Sequence, residues 1–193
     1  MSDAQYEYFA RFRPCSKEQQ LQSLIEDIPL ARPRGEEEQF LAKDERMLEA
    51  RELFQRALAI MERALSTPDQ RPEDIRTARF NAANMCSRIG LIDRMRREYE
   101  SAEEMFKKSI SILSELAAED ITSQRVSREL AIAWERLGLV YGGCFRERKL
   151  QESLVRAHNA LEKAIILYEQ VGEDSSDTQA ILSSLNSKGH VVG

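Results

Sequence analysis

All five prolines fall at positions 14, 29, 33, 68 and 72, and residues 73–193 contain none. A proline inside a helix removes a backbone hydrogen bond and clashes with the preceding turn, at a cost of about 3 kcal/mol. The proline-free stretch is therefore open to long helices, and its apolar residues recur every three or four positions over most of its length. No run of strict apolar–polar alternation bounded by turn residues occurs, so no strand is expected. The expected class is all-α.

Reading the period along the chain gives a series of helices. A short one begins at Ser16, with Leu21, Leu24, Ile25 and Ile28 on one face, and stops at Pro29. After the linker ARPRG (31–35), a long helix runs from about 36 to 65, striped by Phe40, Met47, Ala50, Phe54, Ala57, Leu58 and Met61. Further helices are expected over about 73–95, 98–118, 123–145 and 150–171, with a last short one near 177–187. STPDQRPED (66–74) and EDITS are turns, while DRMRRE and RERK (146–149) are basic breaks. Antiparallel helices with short polar turns form either a closed bundle or a solenoid of helix pairs.

One spacing favours the solenoid. Trp134, Leu137, Gly138 and Tyr141 follow W-x-x-L-G-x-x-Y, and the next helix carries Ala157, Leu161 and Ala164 as small, large and small. An earlier unit repeats this with Cys86, Ile89 and Gly90, then Ala102, Phe106 and Ser109; Ala50, Phe54 and Ala57 form a third such set. Over residues 36–171 the chain thereby resembles the tetratricopeptide-repeat (TPR) family, in a long-helix form. The glycine and the small residues let two backbones approach, and the large side chains fill the groove between neighbours. Gly90 to Ala102 spans 12 positions, whereas Gly138 to Ala157 spans 19, so the later unit needs longer helices or an inserted turn. The resemblance implies a right-handed superhelix of about three helix pairs (36–172), an N-terminal arm (1–35), and a C-terminal capping helix with a tail (173–193).

It also implies a non-catalytic adaptor or scaffold that holds a peptide or helix of a partner protein in a groove lined by the first helix of each pair. The faces opposite the core stripes offer Asn81, Asn84, Arg88, Leu91 and Arg94 on one helix and Arg128, Ile132, Glu135 and Leu139 on another. Asparagines with arginines suit a peptide backbone and a carboxylate. Ser87 and Glu135 stand where the family's carboxylate clamp would favour donors, which argues against a heat-shock cochaperone.

Arg96, Arg97, Arg146, Arg148 and Lys149 lie in the two intra-pair turns and could merge into a basic edge. The alternative is a closed bundle serving as a subunit of a larger assembly, its basic edge touching acidic protein, anionic lipid or nucleic acid. Exposed apolar ends would favour a homodimer or a larger complex. The arm packs Tyr6, Tyr8, Phe9 and Phe12 beside Arg11 and Arg13, fit either to dock on its own fold or to anchor a partner.

Other classes find little support. The net charge of −5, with both signs dispersed, argues against a general nucleic-acid binder. Cys15, Cys86 and Cys144 form no C-x-x-C pair, so neither a zinc site nor a disulfide framework is expected, and a reducing compartment fits. The N-terminus lacks the apolar core of a signal peptide, and no apolar run reaches the ~18 residues of a membrane span. A cytoplasmic protein is expected, with the nucleus open. His158 and His190 are the only histidines, and no phosphate loop, nucleophile elbow or H-E-x-x-H occurs. No enzyme, catalytic residue, metal or cofactor is expected.

Overall fold

The computed structural model describes residues 37–66, 71–120 and 122–189. Among these residues it is wholly helical, with no strand: α1 Glu37–Leu65, α2 Pro72–Met95, α3 Tyr99–Glu119, α4 Gln124–Arg148, α5 Gln151–Val171 and α6 Ser176–Gly189. The expected N-terminal helix from Ser16 lies outside the described residues. The chain divides into two compact units at Leu53/Phe54, inside α1. The described part of the first is the opening of α1, which carries the buried Met47 and Ala50.

Local chemistry sets the helix ends. Pro72 opens α2 in the first turn, where its missing N–H has no helical partner to lose. Arg71 Nε reaches Asp74 Oδ2 at 2.8 Å across that turn. The Asp120 carboxylate accepts from both Thr122 N–H (3.1 Å) and Thr122 Oγ1–H (2.6 Å), folding the chain between α3 and α4. Gly172, at φ 72°, ends α5, and the Ser176 N–H bonds Asp174 Oδ1 at 2.9 Å at the start of α6.

In the unit Phe54–Gly193 each helix from α2 onward packs on the next, and α2 also touches α4. Ile89, Ile92, Phe106, Leu113, Leu116, Leu137 and Leu161 are fully buried. Two of the three expected small–large–small sets are buried throughout, Ala102, Phe106 and Ser109 and likewise Ala157, Leu161 and Ala164; of the third, Ala50 is buried while Phe54 and Ala57 are half-buried. A Cβ built on Gly90 would stand 3.1 Å from the Phe106 ring, and one on Gly138 would stand 2.7 Å from Leu161 Cγ. Both glycines therefore mark close helix–helix approach.

The long separation after Gly138 comes from added helix. Gly90 lies five residues before the end of α2 at Met95, while Gly138 lies ten before the end of α4 at Arg148. α5 likewise starts six residues before Ala157, where α3 starts three before Ala102. RERK is accordingly not a break over its whole length: Arg146, Glu147 and Arg148 complete α4, and only Lys149 turns the chain, at φ 56°. Arg146 and Arg148 sit favourably at the negative end of the helix dipole. Arg97 turns the earlier pair at φ 65°.

The added turns of α4 close on the preceding pair. A Cβ on Gly143 would lie 2.8 Å from the Tyr99 ring at the start of α3, so this glycine admits a neighbouring side chain. Arg97 pairs with Glu147 at 2.8 Å, and Arg148 with Glu100. Gly142 instead faces Leu185 of α6 at ordinary contact distance, 3.4 Å.

Candidate functional site

Two faces of α4 carry polar residues beside accessible apolar ones. The first looks toward α2. Asn81, Asn84, Arg88, Leu91 and Arg94 on α2 are all half-buried, as are Ile132, Glu135 and Leu139 on α4. Arg128 is exposed and paired with Glu173 at 2.8 Å. Arg88 lies over the Phe54 ring, 5.5 Å from its centroid. Glu135 accepts a hydrogen bond from the Tyr168 hydroxyl at 2.6 Å, and burial then this carboxylate push the Tyr168 hydroxyl well above its ordinary range. Ser87 shares a buried 2.9 Å hydrogen bond with Ser109. Both departures from a carboxylate clamp are thus committed to internal partners.

Sequence reasoning missed Arg136. It stands four residues after Ile132 and three before Leu139, which puts it on the same helical face. Burial holds its guanidinium below the ordinary range; Glu129 and Glu135 oppose this and Arg88 adds to it. Arg94 behaves alike, through burial first and then the charges of Arg136 and Arg146. A helical wheel drawn through Ile132 and Leu139 would have found Arg136, had the stripe not been assigned to Glu135.

The second face looks between α3 and α5. A shallow groove of about 250 Å³ is lined by Ile110, Trp134, Leu137, Tyr141 and Ala160, with Lys107, Arg156 and Lys163 at its rim. Trp134 is half-buried, not sealed in the core with Leu137 and Tyr141, because it lines the groove between α3 and α5. Lys163 Nζ sits 4.2 Å from the Trp134 centroid, and the Arg156 guanidinium 4.8 Å from that of Tyr141. The Tyr141 hydroxyl donates to Glu103 at 3.0 Å, and burial followed by that carboxylate raises it to about 12.

The two basic turns do come together, but largely neutralised. Arg96 pairs with Glu98 at 3.0 Å, Arg97 with Glu147 and Arg148 with Glu100, leaving Arg146 and Lys149 exposed without a salt bridge among the described residues. Tyr6, Tyr8, Phe9 and Phe12 lie outside the described residues, as do Cys15 and His190.

Reactive groups are quiet. Burial lifts the Cys86 thiol to about 11, so at neutral pH it is a thiol packed in the core rather than a nucleophile. Cys144 Sγ accepts from Ser153 Oγ–H at 3.6 Å. His158 Nε2 lies 3.0 Å from Glu162 on the surface of α5. Among the described residues no cluster of three His, Cys, Asp or Glu could hold a metal ion, and no helix is long and apolar enough to cross a membrane. No family model, curated protein or solved structure matches the chain.

Proposed function

We propose that the chain is a non-catalytic protein–protein interaction adaptor, built as a TPR-like right-handed superhelix that receives a partner's peptide or helix along the α2/α4 face. The order of helix contacts carries this reading. Each helix from α2 onward packs on its successor, and the first helices of the two central pairs also touch, as in a stack of pairs. The half-buried mixture of Asn84, Leu91, Arg94, Ile132 and Leu139 supports a binding face, because such a surface hides apolar atoms and still offers donors.

A second reading makes the chain a structural subunit gripped between α3 and α5. The half-open Trp134 in its cation-rimmed groove favours it. One experiment separates the two. A photoreactive amino acid is placed at Leu139 in one variant and at Asn159, beside the second groove, in another, and each is irradiated in its native cells. The adaptor reading expects a defined partner cross-linked from Leu139 and not from Asn159. The reverse pattern establishes the second reading, and cross-links from neither site remove both.

A further inference from the structure

The seam between α2 and α4 brings four arginines together, three of them without a salt bridge among the described residues. Arg88 and Arg94 come from α2, Arg136 and Arg146 from α4. Arg88 is engaged with the Phe54 ring. The guanidinium groups of Arg94, Arg136 and Arg146 make no salt bridge or hydrogen bond with any described residue. Arg94 Nε is shut off from solvent with no hydrogen-bond partner, the one buried side-chain polar atom in that state among the described residues. An unmet donor on a charged group is costly, and native folds rarely retain one without a reason.

Of the acids close by, Glu129 opposes the burial of Arg136 by charge alone, and the others are engaged elsewhere. Glu135 holds the Tyr168 hydroxyl, Glu147 holds Arg97, and the buried Asp93 accepts from Ser101 Oγ–H at 2.6 Å. Burial lowers both Arg94 and Arg136, and positive neighbours press each further the same way. An incoming anion would relieve that cost, whereas water at the rim does so only in part.

The layout selects among anions. Arg136 and Arg146 are ten positions apart on one helix, roughly 15 Å along its axis, too far for one phosphate group to bridge. Between and beside them lie the aliphatic Leu91, Ile132 and Leu139, each partly open. Of the aromatic rings beside this face, Phe54 is covered by Arg88 and Tyr168 is buried and held by Glu135, which disfavours base stacking by single-stranded nucleic acid. Spaced carboxylates separated by apolar side chains fit both the charges and the floor.

We infer that the α2/α4 seam binds an acidic, partly apolar peptide segment of a partner protein, its carboxylates received by Arg94, Arg136 and Arg146 and its apolar side chains resting on Leu91, Ile132 and Leu139. The inference rests on the adaptor reading and specifies its ligand.

The test uses the full chain and a short fluorescent peptide alternating aspartate and leucine, beside a copy with asparagine for aspartate, a single-stranded oligouridine and inorganic phosphate. The aspartate peptide should bind at least about tenfold more tightly than the asparagine copy and weaken as salt rises. Arg94→Gln and Arg136→Gln should each cost about tenfold or more in affinity, with the exposed Lys149→Gln unchanged. Thermal melting supplies a second readout: Arg94→Gln, relieved of an unmet buried charge, should melt no lower than the parent chain. Equal binding of the two peptides overturns the inference, as does tighter binding of oligouridine or competition by phosphate equal to that of the peptide. A markedly lowered melting temperature of Arg94→Gln with unchanged peptide affinity overturns it too. Should the acidic peptide fail while Leu139 still cross-links a partner, this inference falls and the adaptor reading stands; if both fail, both fall.

Discussion

Gly90 of α2 and Gly138 of α4 each mark a close helix seam, yet each faces a different neighbour. A Cβ on Gly90 would stand 3.1–3.2 Å from the flat Phe106 ring, across a seam that also buries the Ser87–Ser109 hydrogen bond. A Cβ on Gly138 would stand 2.7–2.8 Å from branched Leu161 and 3.4 Å from the Ala157 carbonyl oxygen. The second seam is tighter, and its two helices run on into the turns that embrace the preceding pair. One small-residue device thus serves two packings: the earlier pair fills its seam with a ring and a polar link, the later pair with closer backbones.

Removing the large residue is the strongest way to break the likeness. Phe106→Ala should lose about 3–5 kcal/mol and Leu161→Ala about 2–5 kcal/mol in urea unfolding, because both are fully buried and neither site can collapse freely. A loss under about 1 kcal/mol at either position would show that seam to be loosely packed. Filling the glycine tests the difference between the seams. Gly138→Ala should cost about 1–2 kcal/mol, overpacking outweighing the roughly 0.5–1 kcal/mol that alanine gains in a helix. Gly90→Ala, needing a shift of only a few tenths of an ångström, should stay within about 1 kcal/mol of the parent chain. If Gly90→Ala proved the worse of the two, the order of tightness would be reversed.

The polar link in the earlier seam sharpens the contrast further. Ser109→Ala strands the Ser87 hydroxyl and should cost about 1 kcal/mol, whereas Ser87→Ala with Ser109→Ala should recover part of that loss in a double-mutant cycle. The last effect is one of pH. Burial raises Cys86 in the earlier pair from 9.0 to about 11 and Tyr141 in the later pair from 10.0 to about 12. The fold keeps protons that the unfolded chain releases, so stability is intact below about pH 9 and declines as pH climbs through these raised values. Tyr141→Phe should flatten the part of that decline lying between about pH 10 and 12 in chemical denaturation series. An unchanged slope would separate Tyr141 from the alkaline loss.

The helices were legible because their signals are local. Pro72 starts one, Gly172 ends another, and the apolar period between them has no competitor, so most bounds fall within a residue or two of expectation. The close approach at Gly138 was legible from the tryptophan-to-tyrosine spacing. The opening over Trp134 was not, since it depends on the separation of α3 from α5, which no stretch of α4 encodes. The neutralised turns were readable in principle: Glu98, Glu100 and Glu147 stand among the very arginines that suggested a basic edge. Which acid takes which arginine is decided across the turns, between residues about fifty positions apart. Arg136 stayed hidden for a related reason, because its cost arises first from burial and then from Arg88 of α2, both of which only the packed helices bring about.

The extra length of α4 also bears on modularity. An array of self-contained pairs can be lengthened or shortened like beads on a string. Here Tyr99 belongs to one pair and the glycine that makes room for it to the next, and the Arg97–Glu147 and Arg148–Glu100 bridges cross the same boundary. Cutting the chain between these pairs would leave a ring without its socket on one fragment and an empty notch on the other. The two central pairs are therefore one indivisible piece, to be swapped, grafted or inherited together.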